Sequence, residues 1–162
     1  MAKKKIIIGT RGSKLALIYA NIAKNKIFEL KDKYNFEEIL IQNIKTQGDE
    51  VQNIRLSEVG GKGLFSKKIE DHLIAGKIDI AVHALKDMPS IETPGLITEC
   101  FLERNDPREA LISKNKKFLD EQKNGATIGT SSLRREFQIK HKNNNFNFKL
   151  IRGNVDTRIK KL

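Results

Sequence analysis

The 162-residue sequence is 38% hydrophobic and 31% charged, the balance of a soluble globular chain rather than a disordered polar tail. Its longest apolar run is only a few residues, which excludes a bilayer-spanning segment. A net charge of +11 favours an anionic partner (nucleic acid, an acidic membrane surface, or a ligand with several carboxylates), and composition does not choose among the three.

The chain opens on Met1-Ala2-Lys3-Lys4-Lys5, basic residues ahead of Ile6-Ile7-Ile8. That apolar run is too short for a signal peptide and reads as a buried first strand behind a solvated lysine cluster. Ser13 is placed to cap a helix whose apolar face is marked by Leu15, Ile18, Ile22, Ile27 and Leu30. Glu38-Ile39-Leu40-Ile41 reads as a second strand. Gly48-Asp49 and Gly60-Gly61-Lys62-Gly63 read as loops, the latter as a mobile lid or sharp connection, since it lacks the frame of a phosphate-binding loop. Phe65, Ile69, Leu73 and Ile74 suit a second amphipathic helix. Ile78-Asp79-Ile80-Ala81-Val82 is expected to be a third strand that ends before Pro89, which cannot donate to a sheet ladder.

Strands alternating with helices predict an α/β fold with parallel pairs. From about Leu96 the character changes. Residues 96–102 and 109–113 read as strands with no helix between them, so a first α/β domain is expected over residues 1–100. The start of a second, incomplete one is expected over residues 101–162. Cys100, the only cysteine, forms no internal disulfide, which suits a reducing cytoplasm. Its apolar neighbours Ile97, Phe101 and Leu102 predict a buried core thiol rather than a nucleophile.

One internal echo stands out. Gly9-Thr10-Arg11-Gly12-Ser13 and Gly129-Thr130-Ser131-Ser132 each follow a short apolar strand and precede an amphipathic helix. Such turns aim backbone N–H groups and the positive helix end at one spot, which suits an anion; taken alone, ordinary helix capping is the simpler account of both. Arg134 and Arg135 follow the second turn. Arg152 follows an expected strand over residues 148–151, and Arg158 lies in a helix begun near Asn154. With Arg11, these are five arginines at strand ends or helix starts, where ligands of open α/β sheets gather. Guanidiniums grip carboxylates through paired hydrogen bonds, so the set suits a polycarboxylate. Arg55, Arg104, Arg108, Lys114, Lys116 and Lys117 read as solvated surface. Lys86-Asp87 also sits at a strand end, where an aspartate beside a cation suits acid–base work, although exposed Lys-Asp ion pairs are common. His72, His83 and His141 are far apart, and no zinc spacing is present, so no metal is expected.

Six segments carry a family resemblance: Gly9-Thr10-Arg11-Gly12-Ser13-Lys14-Leu15-Ala16-Leu17; Val59-Gly60-Gly61-Lys62-Gly63-Leu64-Phe65; Asp79 through Pro89; Arg104-Asn105-Asp106-Pro107-Arg108-Glu109-Ala110; Gly129-Thr130-Ser131-Ser132-Leu133-Arg134-Arg135; and Leu150 through Arg158. In this order they resemble the signatures of the porphobilinogen deaminase (hydroxymethylbilane synthase) family across almost the whole chain. The resemblance implies a three-domain transferase of porphyrin and haem biosynthesis that joins four porphobilinogens into hydroxymethylbilane with release of ammonia. Its first two domains are like periplasmic binding proteins with mixed sheets, and the active site lies in the cleft between them. It further implies a dipyrromethane cofactor held by a cysteine of the third domain, which this chain does not contain; Cys100 does not align with that cysteine.

Carried over by position, Arg11, Ser13, Lys86, Arg134, Arg135, Arg152 and Arg158 are expected to bind acetate and propionate carboxylates. Thr130 and Ser132 are expected to add donors near the cofactor. Asp87 becomes the catalytic carboxylate that helps ammonia leave, and Lys62 and Phe65 fall on a flexible lid. The expected partners are porphobilinogen and the growing polypyrrole chain, with no nucleic acid and no membrane, in a cytoplasmic monomer when full length. By itself the chain is expected to be incomplete for turnover, the alternative being an inactive fragment that only binds anionic pyrroles.

Overall fold

A computed structural model describes residues 5–50 and 63–162. These fall into two compact units, residues 5–50 with 63–103 and residues 104–162.

In the first unit Ile6-Ile7-Ile8 forms the centre of strand β1 (Lys5–Thr10), the middle strand of a three-stranded parallel sheet. Strand β2 (Glu38–Asn43) pairs along one edge, Lys5 opposite Glu38 and Thr10 opposite Asn43. Strand β3 (Ile80–Ala81) pairs along the other, Ile8 opposite Ile80. The apolar run 78–82 yields only this two-residue strand. Its pairing is extended by Asp79 N donating to Ile7 O at 2.8 Å and Val82 N donating to Gly9 O at 3.0 Å. Parallel neighbours require crossovers. Helices α1 (Lys14–Phe28) and α2 (Lys31–Tyr34) lead from β1 to β2, and α3 (Gln47–Glu50) and α4 (Lys67–Ile74) precede β3.

Side chains alternate across β1, so the sheet is apolar on both faces. Ile8 packs with Ala20, Phe36 and Ile39, joined by Ile6 and Ile41. Ile7 packs on the opposite cluster of Ile44, Ile69 and Ile78. Each fully buried isoleucine contributes roughly 1.5–3 kcal/mol relative to exposure.

The expected inward face of α1 is corrected. Leu15, Ile18, Ile22 and Leu30 are exposed, and the helix instead buries Ala20 and Ala23, with Ile27 partly buried. Small residues let the helix lie close to the sheet, and the bulky ones then face outward. In α4, Ile69 is buried and Leu73 packs beside it, whereas Ile74 is exposed and Phe65 precedes the helix. Gly48-Asp49, read as loop, forms the short helix α3.

The second unit repeats the plan on a smaller scale. Strand β4 (Thr127–Gly129) pairs in parallel with β5 (Asn147–Lys149), which lies slightly earlier than residues 148–151. Helix α5 (Leu133–Lys142) connects them, and α6 (Val155–Lys161) follows. The strands expected over 96–102 and 109–113 are not formed. Ile97, Phe101, Leu102, Leu111 and Ile112 are exposed, and so is Cys100, contrary to the expected buried thiol. Apolar composition favours a strand only where a neighbouring ladder accepts its hydrogen bonds. None of β1–β5 pairs with these segments.

Candidate active site

Arg11 leaves the sheet at the carboxyl end of β1. Its neighbour Thr10 is fully buried, and Thr10 Oγ1 donates to Val82 O at 3.3 Å, which fixes where the chain departs. Ser13 caps α1, its Oγ accepting from Ala16 N at 3.3 Å. Arg11 therefore stands beside the positive end of a fifteen-residue helix.

Asp49, from α3, grips the Arg11 guanidinium through Nε at 3.2 Å and through Nη2. Asp49 is anchored in turn by Thr46, whose backbone N donates to Oδ2 at 3.1 Å and whose Oγ1 donates to it at 2.7 Å. Burial raises the Asp49 pKa, but the bonds from Arg11 and Thr46 outweigh it and hold the carboxyl below its ordinary value. The Phe65 ring lies 4.0 Å from the guanidinium carbon and adds a cation–π contact. On its remaining side Arg11 Nη1 is 3.8 Å from Asp87 Oδ2. Asp87 is carried by a 3-10 turn, Leu85–Asp87, closed by Asp87 N donating to Ala84 O at 2.9 Å; Lys86 of that turn is exposed. The structure thus gathers Asp49, Phe65 and Asp87 around Arg11. Lys62 lies outside the described residues.

Phe65 reaches Arg11 because Gly48 has no side chain. A Cβ at Gly48 would sit 2.2 Å from the ring, and Gly48 N donates to Leu64 O at 2.9 Å. Gly48→Ala is expected to push the ring off Arg11 and lower stability by about 1–3 kcal/mol, the usual cost of overpacking. Thermal unfolding checks the cost; an unchanged melting temperature would mean that the ring has room to retreat.

His83 precedes the Asp87 turn. Desolvation lowers its pKa, Glu70 and Asp87 pull it back up, and Arg11 pushes it down; the net direction is below 6.5. The unfolded chain therefore binds this proton more readily. The stability that neutral His83 contributes is present above about pH 6.5 and lost as pH falls. Wild-type melting temperature is expected to drop between pH 7.5 and 5.5, and less steeply in His83→Gln. Parallel slopes for the two proteins would rule His83 out as the source.

The second unit carries the echo of this turn. Thr130 is buried; its N donates to Lys149 O at 3.0 Å, and its Oγ1 accepts from Ser132 N at 3.1 Å. Ser132 caps α5, its Oγ accepting from Arg135 N at 3.4 Å. The cap delivers Arg134 and Arg135 to the first turn of the helix, where both guanidiniums meet Glu109. Arg152 and Gly153 lie in the turn from β5 to α6. Gly153 has φ +115°, and a Cβ there would sit 2.9 Å from Thr157 Cγ2, so only glycine fits this turn. Arg158 lies in α6, its N donating to Asn154 O at 3.0 Å. The Nε atoms of Arg135 and Arg158 are buried and have no hydrogen-bond partner among the described residues.

Sequence reasoning passed over Asp49. No local pattern marks it, because it stands in α3 beyond the end of β2 and its partner Arg11 is distant in sequence.

The comparisons with known proteins agree on one family. The family model described as "Porphobilinogen deaminase, dipyromethane cofactor binding domain" matches residues 6–162. A porphobilinogen deaminase of Bacillus velezensis is 49% identical over 159 residues, 98% of this chain and 50% of that protein. One from Geotalea daltonii is 48% identical over 162 residues, 100% of this chain and 50% of that protein. The chain spans about half the length of the curated relatives it matches.

Proposed function

As the chain belongs to the porphobilinogen deaminase family, we propose that it forms part of a hydroxymethylbilane synthase, which joins four porphobilinogens and releases ammonia. In this reading the two units are lobes of the periplasmic-binding-protein type, and the enzyme is cytoplasmic. The observation that carries the proposal is the Asp87 carboxylate beside an Arg11 held by Asp49 and Phe65, at the carboxyl ends of parallel strands.

The reaction has two demands. The C–N bond of the aminomethyl group breaks and ammonia departs, leaving an electron-poor methylene carbon. That carbon then bonds to the unsubstituted α-carbon of an acceptor pyrrole, which loses its proton. The Asp87 carboxylate serves both: it stabilises the positive charge that spreads over the pyrrole, and it accepts the proton that the acceptor carbon gives up. Arg11, already tied to Asp49, offers its Nη1 side to a ligand carboxylate near Asp87. Lys86, exposed on the same turn, adds a further cation.

The dipyrromethane cofactor of the family, when bound, supplies the free pyrrole α-carbon on which chain growth starts. The second unit suits the carboxylates of the cofactor and of the porphobilinogen units that join it. Buried Nε donors on Arg135 and Arg158 have no acceptor among the described residues, and Arg134 and Arg152 lie at the same helix starts. Capping uses the oxygens of Ser13 and Ser132 as acceptors, which leaves their hydroxyl protons to donate, and Thr130 is placed likewise.

The test is incubation of the full-length protein with porphobilinogen, measuring ammonia released and the mass of the product. One ammonia for each porphobilinogen consumed and a linear tetrapyrrole are expected. Porphobilinogen bound without ammonia release would contradict the assignment.

A further inference from the structure

Glu109 lies in the stretch 104–113, which forms neither helix nor strand, and its side chain is half exposed. Its only described bonds are to two arginines. Oε1 accepts from Arg134 Nη2, and Oε2 lies 2.6 Å from Arg135 Nη2. One carboxylate thus bridges two adjacent guanidiniums, one oxygen on each, as a ligand acetate or propionate would.

The Arg134 side chain has a second hold besides Glu109, and the Arg135 backbone is fixed independently of it. Arg134 Nη1 also donates to Gln138 Oε1 at 3.2 Å, and the backbone of Arg135 is held by the Ser132 cap. Exposed ion pairs of this kind are weak and exchange readily.

We propose that Glu109 is an internal competitor for the Arg134–Arg135 pair, displaced when a ligand carboxylate takes its place, and so sets the affinity threshold of this subsite. The inference rests on the reading of these arginines as carboxylate donors. Arg135 first, and Arg134 next, hold the Glu109 carboxyl below its ordinary value. Displacement releases it, so its titration midpoint moves up when ligand binds. An intramolecular competitor also lowers occupancy of the pair by stray anions, useful in a chain of net charge +11.

The experiment is equilibrium titration of the full-length protein with porphobilinogen, in an Asp87→Asn background so that turnover does not consume the probe. Adding Glu109→Gln is expected to tighten binding about twofold to tenfold, the range that corresponds to loss of two weak ion pairs. Glu109→Asp, too short to bridge both arginines, is expected to move in the same direction. In the Asp87→Asn protein itself, carboxyl-carbon NMR of Glu109 is expected to show the midpoint rising at saturation. Unchanged or weaker binding in Glu109→Gln, with a static midpoint, would show that Glu109 only aligns the arginines and would overturn the proposal. Arg135→Gln separates the two readings. If that change leaves porphobilinogen binding intact, the arginine pair is no carboxylate subsite and the functional reading fails with it. If it weakens binding while Glu109→Gln does not tighten it, the Glu109 inference alone is lost.

Discussion

Asp87→Asn in the full-length protein is expected to lower turnover by about 10²–10⁴-fold while leaving the fold and most porphobilinogen binding intact. The substitution keeps size and removes only charge. The Asp87 turn is held by backbone bonds, Asp87 N to Ala84 O at 2.9 Å and Met88 N to Leu85 O at 3.1 Å, which asparagine retains. The contact to Arg11 is long at 3.8 Å, and Arg11 keeps its grip on Asp49, so little stability rides on the lost charge. In the proposed mechanism the substitution would remove the anion facing the pyrrole as ammonia leaves and the base that collects the α-proton. Steady-state kinetics with thermal unfolding on the same sample check this. Near-normal turnover in a properly folded variant would remove Asp87 from the chemistry.

Asp49→Ala is expected to cost both stability and activity, which distinguishes it from the change at Asp87. The carboxylate is only about a fifth exposed and accepts from Arg11 Nε and from both donors of Thr46. Its loss leaves the guanidinium and the buried Thr46 hydroxyl without this partner. Hydrogen bonds to charged groups of this kind are worth roughly 1.5–3 kcal/mol, and melting should fall accordingly. Arg11 would swing off its stacked position over Phe65, and kcat/KM is expected to drop by about 10-fold to 100-fold through misplacement of the ligand carboxylate. The stability cost is also pH-linked in wild type. The Asp49 pKa lies below its unfolded value, so its contribution holds above about pH 3.8 and is lost as pH falls. The acid limb of the unfolding curve should flatten in Asp49→Ala. An unchanged kcat/KM would mean that Phe65 and Asp87 position Arg11 without help.

The first unit was legible where local pattern and tertiary need coincide. Ile6-Ile7-Ile8 became the central strand because it is apolar on both faces, and Ser13 capped α1 because a serine there satisfies an orphan N–H. The repeat of that turn at Thr130 and Ser132 was visible for the same reason. Pattern misled where a face has no local partner. Leu15, Ile18 and Ile22 are spaced like a core stripe, yet α1 buries Ala20 and Ala23, because close approach to the sheet rewards small residues. Residues 96–102 have strand composition and no ladder to join, which also leaves Cys100 exposed. Among the candidate residues, Arg11 and Asp87 were singled out from their places at strand ends, and the structure brings the two together. Asp49 was hidden, since its role appears only when α3 brings it against Arg11, thirty-eight positions away in sequence.

The most direct test of the carboxylate-binding account follows the arginine Nε–H resonances of the full-length protein during titration with porphobilinogen, again with Asp87→Asn to prevent turnover. The account predicts that Arg11 in the first unit and Arg134, Arg135 and Arg158 in the second all shift, with pronounced changes at Arg135 and Arg158, whose Nε donors are buried without an acceptor among the described residues. Resonances of these arginines that stay fixed at saturating porphobilinogen, with shifts confined to exposed residues such as Arg104 and Arg108, would contradict it.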